Sequence, residues 1–163
     1  MVQVRNAQPA DAKLLKQLID EMGHHERMRV FASEESLTVD GFGPKPMFRA
    51  LLGMVDGAVS GYALFYDCYS SFQGRGIFLE DLFVREGFRG SGVGNALLSN
   101  IAEIALKQGC FGIMFNVLKW NDAALKFFDR AGASLLSERN TLCLTAASLR
   151  EIEEKTSAAA AAL

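Results

Sequence analysis

The residues best placed to do chemistry lie in the run Arg89-Gly90-Ser91-Gly92-Val93-Gly94-Asn95, with three glycines at alternate positions between an apolar stretch and a helical pattern. Such a turn lets the backbone come close to a ligand and leaves the N–H groups at the start of the next helix unobstructed. Those donors and the positive end of the helix dipole favour phosphate, and Arg89 adds a cation at the edge. A Walker A loop would continue as Gly-Lys-Ser/Thr, whereas this chain has Gly94-Asn95-Ala96. A dinucleotide-binding turn would be spaced Gly-x-Gly-x-x-Gly with an acid closing the next strand, and residues 111–120 contain no acid. What remains is a turn suited to a pyrophosphate without ribose readout. The alternative is a plain connecting turn, against which three glycines that each cost entropy on folding count.

Two further clusters carry titratable groups. Glu80 and Asp81 stand within Phe78-Leu79-Glu80-Asp81-Leu82-Phe83, where apolar flanks can raise a carboxyl pKa. In a regular strand the two acids point to opposite faces, and only a bulge would bring them together; the alternative is a pair of solvating charges on an edge strand. Glu26 follows His24 and His25. With no Cys or partner carboxylate at ligand spacing, that group reads as a helix end rather than a metal site. Cys68, Cys110 and Cys143 sit singly in apolar runs, so buried reduced thiols are expected and disulfides or zinc are not. Cys110 has no adjacent base to activate it as a nucleophile.

These groups must be positioned by a chain of 163 residues, half of them apolar, which suits one domain with a sizeable core. Seventeen Lys and Arg against 19 Asp and Glu give a net charge of −2 and a pI of about 5.7, so nucleic acid is not an expected partner. No apolar run is long enough for a membrane span and the first residues lack a signal-peptide core, so a cytoplasmic protein is expected. The pattern predicts a strand at residues 2–5, a helix ending at Gly23, and a second helix from Ser33, followed by a turn-rich loop at residues 40–46. Strands at residues 47–55 and 59–67 flank Asp56-Gly57, a hairpin signal. A turn region at residues 70–76 leads to a strand at residues 77–84, and a helix follows the glycine turn. Its apolar stripe is Leu97, Leu98, Ile101, Ile104 and Ala105, and Gly109 stops it. A strand at residues 111–118, a helix capped by Asn121 or Asp122 and closed by Gly132, and short strands at residues 133–136 and 141–144 come next. A last helix covers residues 147–155, and the alanine-rich tail at residues 156–163 is read as disordered or artificial and set aside. The order βααβββαβαββ(α) implies an α/β (α+β) fold with a mixed sheet and helices on both faces.

The strand at residues 79–84, the alternating-glycine turn, and Asn121-Asp122-Ala123-Ala124 leading to Phe127-Phe128 and Gly132-Ala133 together resemble the GNAT superfamily of acetyl-CoA-dependent N-acetyltransferases. The likeness spans residues 2–144. Glu26-Arg27-Met28, residues 40–43, residues 78–84 and Trp120-Asn121 make the chain most similar to the diamine (spermidine/spermine) and thialysine acetyltransferase branch. The resemblance implies a mostly antiparallel mixed sheet of six to seven strands.

It also implies roles. Leu82, Phe83 and Val84 would hold the pantetheine arm of acetyl-CoA, and Arg89, Gly90, Ser91, Gly92, Val93, Gly94 and Asn95 its pyrophosphate. Asn121, Asp122, Ala123 and Ala124 would flank the other side of the arm, and no metal is implied. A splay between the strands at residues 77–84 and 111–118 would admit the thioester, polarised by a backbone N–H near Val84. Glu80 would be the catalytic base, since only a free amine attacks a thioester. Glu26, Asp81, Met114, Phe115 and Asn116 would face the amine. Where the family has a tyrosine that donates a proton to the departing thiolate, this chain has Phe128. Water then serves, or the thiolate leaves unaided. Arg75 lies in a loop where the branch carries an acid, which implies a monoamine, short diamine or amino acid with a terminal amine rather than spermidine or spermine. A CoA-binding protein with weak or no catalysis, and acetylation of a protein or peptide amine, stand as alternatives. The branch also implies a homodimer.

Overall fold

The structure is a computed structural model that describes residues 1–138 and 140–161. It forms two compact units, Met1–Asn116 and Val117–Leu163. The first unit contains β1 (Val2–Asn6), α1 (Ala12–Glu26), α2 (Glu34–Phe42), β2 (Arg49–Val55), β3 (Ala58–Ser70), β4 (Gly74–Val84), α3 (Val93–Lys107) and β5 (Ile113–Phe115). The second contains α4 (Asp122–Arg130) and α5 (Ala146–Ala161). Ala162 and Leu163, the end of the alanine-rich tail, lie outside the described residues.

The sheet runs β1-β2-β3-β4-β5, antiparallel except for the parallel β4–β5 pair. Local signals explain most of it. Asp56 and Gly57 take φ of 49° and 83°, the left-handed pair that a tight hairpin needs. The Ser33 side chain accepts from Ser36 N–H and the Ser36 side chain from Ser33 N–H, a reciprocal cap that starts α2. One face of the sheet packs Tyr62, Leu64, Phe83 and Leu52 against Leu15, Leu18 and Ile19 of α1 and Leu37 of α2. The other carries α3 through Val93, Leu97, Ile101 and Ala105. Helices therefore cover both faces, as expected.

Several boundaries move. Among the described residues five strands form, not six or seven. Residues 133–136 and 141–144 are not strands: a strand exists through its ladder, and these residues have no ladder partner among the described residues. Leu135, Leu136, Leu142 and Leu144 are exposed. The strand expected at residues 111–118 shrinks to Ile113–Phe115 for the same reason. α1 continues through Gly23 to Glu26 and stops where Arg27 turns left-handed, with Met28 N–H bonded to Gly23 O. Gly23 serves packing instead, since a Cβ there would lie 2.4 Å from Val30 Cγ2. α2 takes in residues 40–42 of the expected loop, because its capped start and the buried Leu37 outweigh the turn-forming composition. β3 and β4 extend towards each other, which leaves only a short turn at residues 71–73. The cysteines are free, but Cys143 is exposed and Cys68 and Cys110 are half-buried, so the expectation of buried thiols fails. Among the described residues no helix is long and apolar enough to cross a membrane.

The core of the first unit makes its own prediction. Leu18 is fully buried, so Leu18→Ala should lower unfolding stability by about 2–5 kcal/mol. Leu106→Ala, at an exposed position of α3, should change it by less than about 0.5 kcal/mol. Urea denaturation of the two variants checks the contrast.

Candidate active site

The glycine turn follows β4 directly. A 3-10 turn at Glu86–Phe88 and an extended Arg89 lead to Gly90 and Gly92, with φ of 80° and 91°. Only glycine enters that region at no steric cost, and a Cβ at either position would meet nothing within 4 Å. The first bond of α3 runs from Ala96 N–H to Gly92 O. The N–H groups of Val93, Gly94 and Asn95 therefore lie at the open helix end, as in any α-helix start. Ser91 is held by its hydroxyl, 2.6 Å from Phe88 O.

The root of the turn is fixed by Arg85. Its guanidinium donates to both carboxylate oxygens of Glu21 on α1, at 2.8 and 2.7 Å, and to Val59 O at 2.8 Å. Its own N–H bonds to Ser60 O. Glu21 in turn holds the Arg85 guanidinium more firmly protonated than usual. Arg89 folds back so that Nε donates to Val84 O at 3.2 Å, with Nη2 3.5 Å from His25 Nε2. Asp20, Glu21, His24, His25, Phe83 and Arg89 line a cleft of about 480 Å³ beside this turn.

β4 holds the acids, and the ladder decides how they face. Leu64 pairs with Asp81, but the next residue, Phe65, pairs with Leu79. Glu80 is the extra residue of a bulge, and the strict alternation that would have parted the two acids is broken. Asp81 shares the α1–α2 face with its partner Leu64. Glu80 is bonded by the hydroxyl of Tyr66, two residues along β3 on that same face, at 3.2 Å. The Tyr62 hydroxyl donates to Asp81 Oδ2 at 3.0 Å and lies 3.4 Å from Met22 Sδ. Burial first, and then the negative charges of Glu80 and Glu26, push the Asp81 carboxyl up to about 7, against the lowering effect of the Tyr62 hydrogen bond. Burial likewise raises Glu26, with His25 opposing it. Tyr62 and Tyr66 are raised by burial and by the carboxylates beside them.

The other sequence-derived positions distribute as follows. Leu82 and Val84 are half-buried and Phe83 is buried along the last part of β4. The β4–β5 ladder stops at Leu79–Phe115 while β4 continues to Val84, so the two strands part beside the bulge. Met114 pairs with Phe78, on whose ring Tyr66 stacks at 5.3 Å, so it shares the face of the acids. Phe115 pairs with Leu79 and faces α3; Asn116 lies past the ladder. In the second unit Asn121 caps α4, its Oδ1 accepting from Ala124 N–H at 3.1 Å, with Asp122 in the first turn and Ala123 after it. Phe128 is buried on α4, edge-on to Phe127 at 5.1 Å. Tyr62 and Tyr66 were missed by sequence reasoning. Their alternate spacing in β3 put them on one face, but nothing in the sequence marked that face as the one holding the acids.

Residues 24–133 match the Acetyltransferase (GNAT) family. The chain is 36% identical over 147 residues to thialysine N-epsilon-acetyltransferase of Bos taurus, a match covering 84% of this chain and 86% of that protein. It is 31% identical over 144 residues to spermidine/spermine N(1)-acetyltransferase-like protein 1 of Homo sapiens, covering 83% and 21%. Among solved structures, an integron cassette protein from the mobile metagenome of V. cholerae shares the fold, with a TM-score of 0.75 at 21% identity over 93% of this chain and 97% of that one. With a family match over two thirds of its length and a relative matched nearly end to end, this chain belongs to the GNAT acetyltransferase family.

Proposed function

We propose that this acetyltransferase moves the acetyl group of acetyl-CoA to the primary amine of a small molecule, by direct attack within a ternary complex. The observation that carries the reading is the pairing of an open, glycine-lined helix start with a face of three interacting acids, Glu26, Glu80 and Asp81, in the same compact unit. The Val93, Gly94 and Asn95 N–H groups suit a pyrophosphate, with Gly90 and Gly92 letting it approach and Arg89 released to meet its charge. The last part of β4, from Leu82 to Val84, suits the pantetheine arm, and Asn121, Asp122, Ala123 and Ala124 are proposed as further cofactor-binding residues. Acetyl-CoA supplies the activated acyl group.

The acids do the remaining work. A cation is attracted to Glu26 and Glu80, and its ammonium must lose a proton before nitrogen can attack. A carboxylate of the cluster takes that proton. The new C–N bond replaces the C–S bond; the nitrogen sheds its second proton to water, and the thiolate leaves without a donor from position 128, where Phe128 has no proton to give. The amine is a small one: a monoamine, a short diamine or an amino acid with a terminal amine. The similarity to a thialysine acetyltransferase supports this reading, as does Arg75, which stands near the tip of the β3–β4 hairpin opposite Tyr69. A homodimer in the cytoplasm is the setting we assign to it.

A thiol-release assay with acetyl-CoA against thialysine, lysine, putrescine, spermidine and simple monoamines tests the assignment. Turnover should be highest with thialysine or lysine and lower with spermidine. Tight CoA binding with no turnover of any amine would instead establish a binding module. Replacing both Gly90 and Gly92 by Ala should weaken acetyl-CoA binding by at least about tenfold, equivalent to about 1.4 kcal/mol, because both need left-handed backbone. Calorimetric titration of acetyl-CoA reads that loss, and unchanged affinity would remove the turn from the site.

A further inference from the structure

The strand bulge raises a question about which acid does the chemistry. Glu80 is exposed to water, with one oxygen bonded by Tyr66. Asp81 is partly buried, and among the described residues Tyr62 is the one hydrogen-bond donor to its side chain, at Oδ2. Oδ1 is left for a substrate. Tyr62 itself is fully buried and packed against Phe83, with ring centroids 6.2 Å apart, so its hydroxyl has little freedom to turn away.

We propose that Asp81, turned onto the face of Glu26 by the Glu80 bulge and held by the Tyr62 hydroxyl, takes the proton from the substrate ammonium, with Tyr62 as its positioning residue and Glu80 as a group that draws the cation. This rests on the amine-acetyltransfer reading above. In the step, an ammonium N–H bond breaks, its proton passes to a carboxylate oxygen of Asp81, and the electron pair stays on nitrogen. Asp81 becomes a neutral acid and returns the proton to water after the amide forms.

The electrostatic setting agrees. The groups that face Asp81 are Tyr62 from β3, Glu80 from its own strand and Glu26 from the end of α1. Tyr66 attends Glu80, and His25 adjoins Glu26. Nearby cations are already engaged, Arg85 with Glu21 and Arg89 with Val84 O. Burial and like charge place the Asp81 carboxyl at about 7, where a base is both substantially ionised and able to hold a proton. The ordinary carboxyl value is 3.8. The folded state therefore binds more protons than the unfolded chain between about pH 4 and 7, and stability falls as pH rises across that window.

Four proteins decide the matter: wild type, Asp81→Asn, Glu80→Gln and Tyr62→Phe, assayed with acetyl-CoA and thialysine. For wild type, kcat/KM should rise with pH through an acid limb near 7. Asp81→Asn should lose at least about a hundredfold in kcat and lose that limb. Glu80→Gln should keep the limb, moved to lower pH because a like charge that raises Asp81 is gone, and act mainly on KM. Tyr62→Phe keeps the ring but deletes the bond that lowers the Asp81 pKa, so its limb should move to higher pH. The ¹³C carboxyl resonance of Asp81, titrated without substrate, should show the same midpoint and the same shift in Tyr62→Phe. Stability measured against pH gives a check that needs no catalysis: Asp81→Asn should gain on wild type between about pH 4 and 7 and run parallel above. An acid limb that vanishes in Glu80→Gln and survives in Asp81→Asn overturns the proposal. So does a carboxyl titration that Tyr62→Phe leaves in place. No transfer by wild type to any amine would overturn the parent reading as well, whereas transfer with a Glu80-dependent limb overturns the base assignment alone.

Discussion

Because Leu64 faces Asp81 while Phe65 faces Leu79, Glu80 has no partner across the β3–β4 ladder, and the chemistry of the first unit depends on that single extra residue. Without it, Glu80 and Asp81 would alternate, one towards α1 and one towards α3. With it, two carboxylates and the two tyrosines that bind them share the face that also receives Glu26. The bulge sits where the β4–β5 ladder ends, so one local irregularity both gathers charge and marks the point at which the sheet opens.

Gathering three acids on one face carries an electrostatic cost, which His25 relieves only at Glu26. Like charges near one another destabilise the ionised state, and burial of Asp81 adds to that cost. The surroundings explain how the fold tolerates it. Leu15, Leu18, Tyr62, Leu64 and Phe83 form a continuous apolar core beneath the acids, and the Arg5–Asp11 and Arg85–Glu21 pairs hold the ends of α1 against the sheet. Stability is supplied away from the acids, and Asp81 and Glu26 keep a proton affinity that a well-solvated carboxylate lacks.

Much of the fold was legible because its signals are local. Asp56-Gly57, Ser33, Asn121, Gly109 and Gly132 each act within a few residues of where they stand, and each does in the structure what its type predicts. The glycine turn was legible for the same reason. Register was not: Glu80 and Asp81 read the same in sequence whether or not the strand bulges, since a bulge is a relation between two strands. Tyr62 and Tyr66 looked like ordinary alternation until β4 was laid beside them. The leucines at 135, 136, 142 and 144 have strand-like spacing, yet spacing cannot supply a neighbour, and no ladder forms among the described residues. Gly23 misled in the opposite direction, because its missing side chain serves Val30 rather than a helix end.

Arg85 follows the last residue of β4 and grips two separate pieces of chain: a carboxylate of α1, and β3 through the adjacent carbonyls of Val59 and Ser60. The glycine turn thus departs from an anchored point. Its flexible residues bend between Arg85 and the rigid cylinder of α3, so the amides at the helix mouth keep their heading even though glycine surrounds them. A ligand arriving there meets donors whose orientation was settled during folding, and little entropy has to be surrendered to align them.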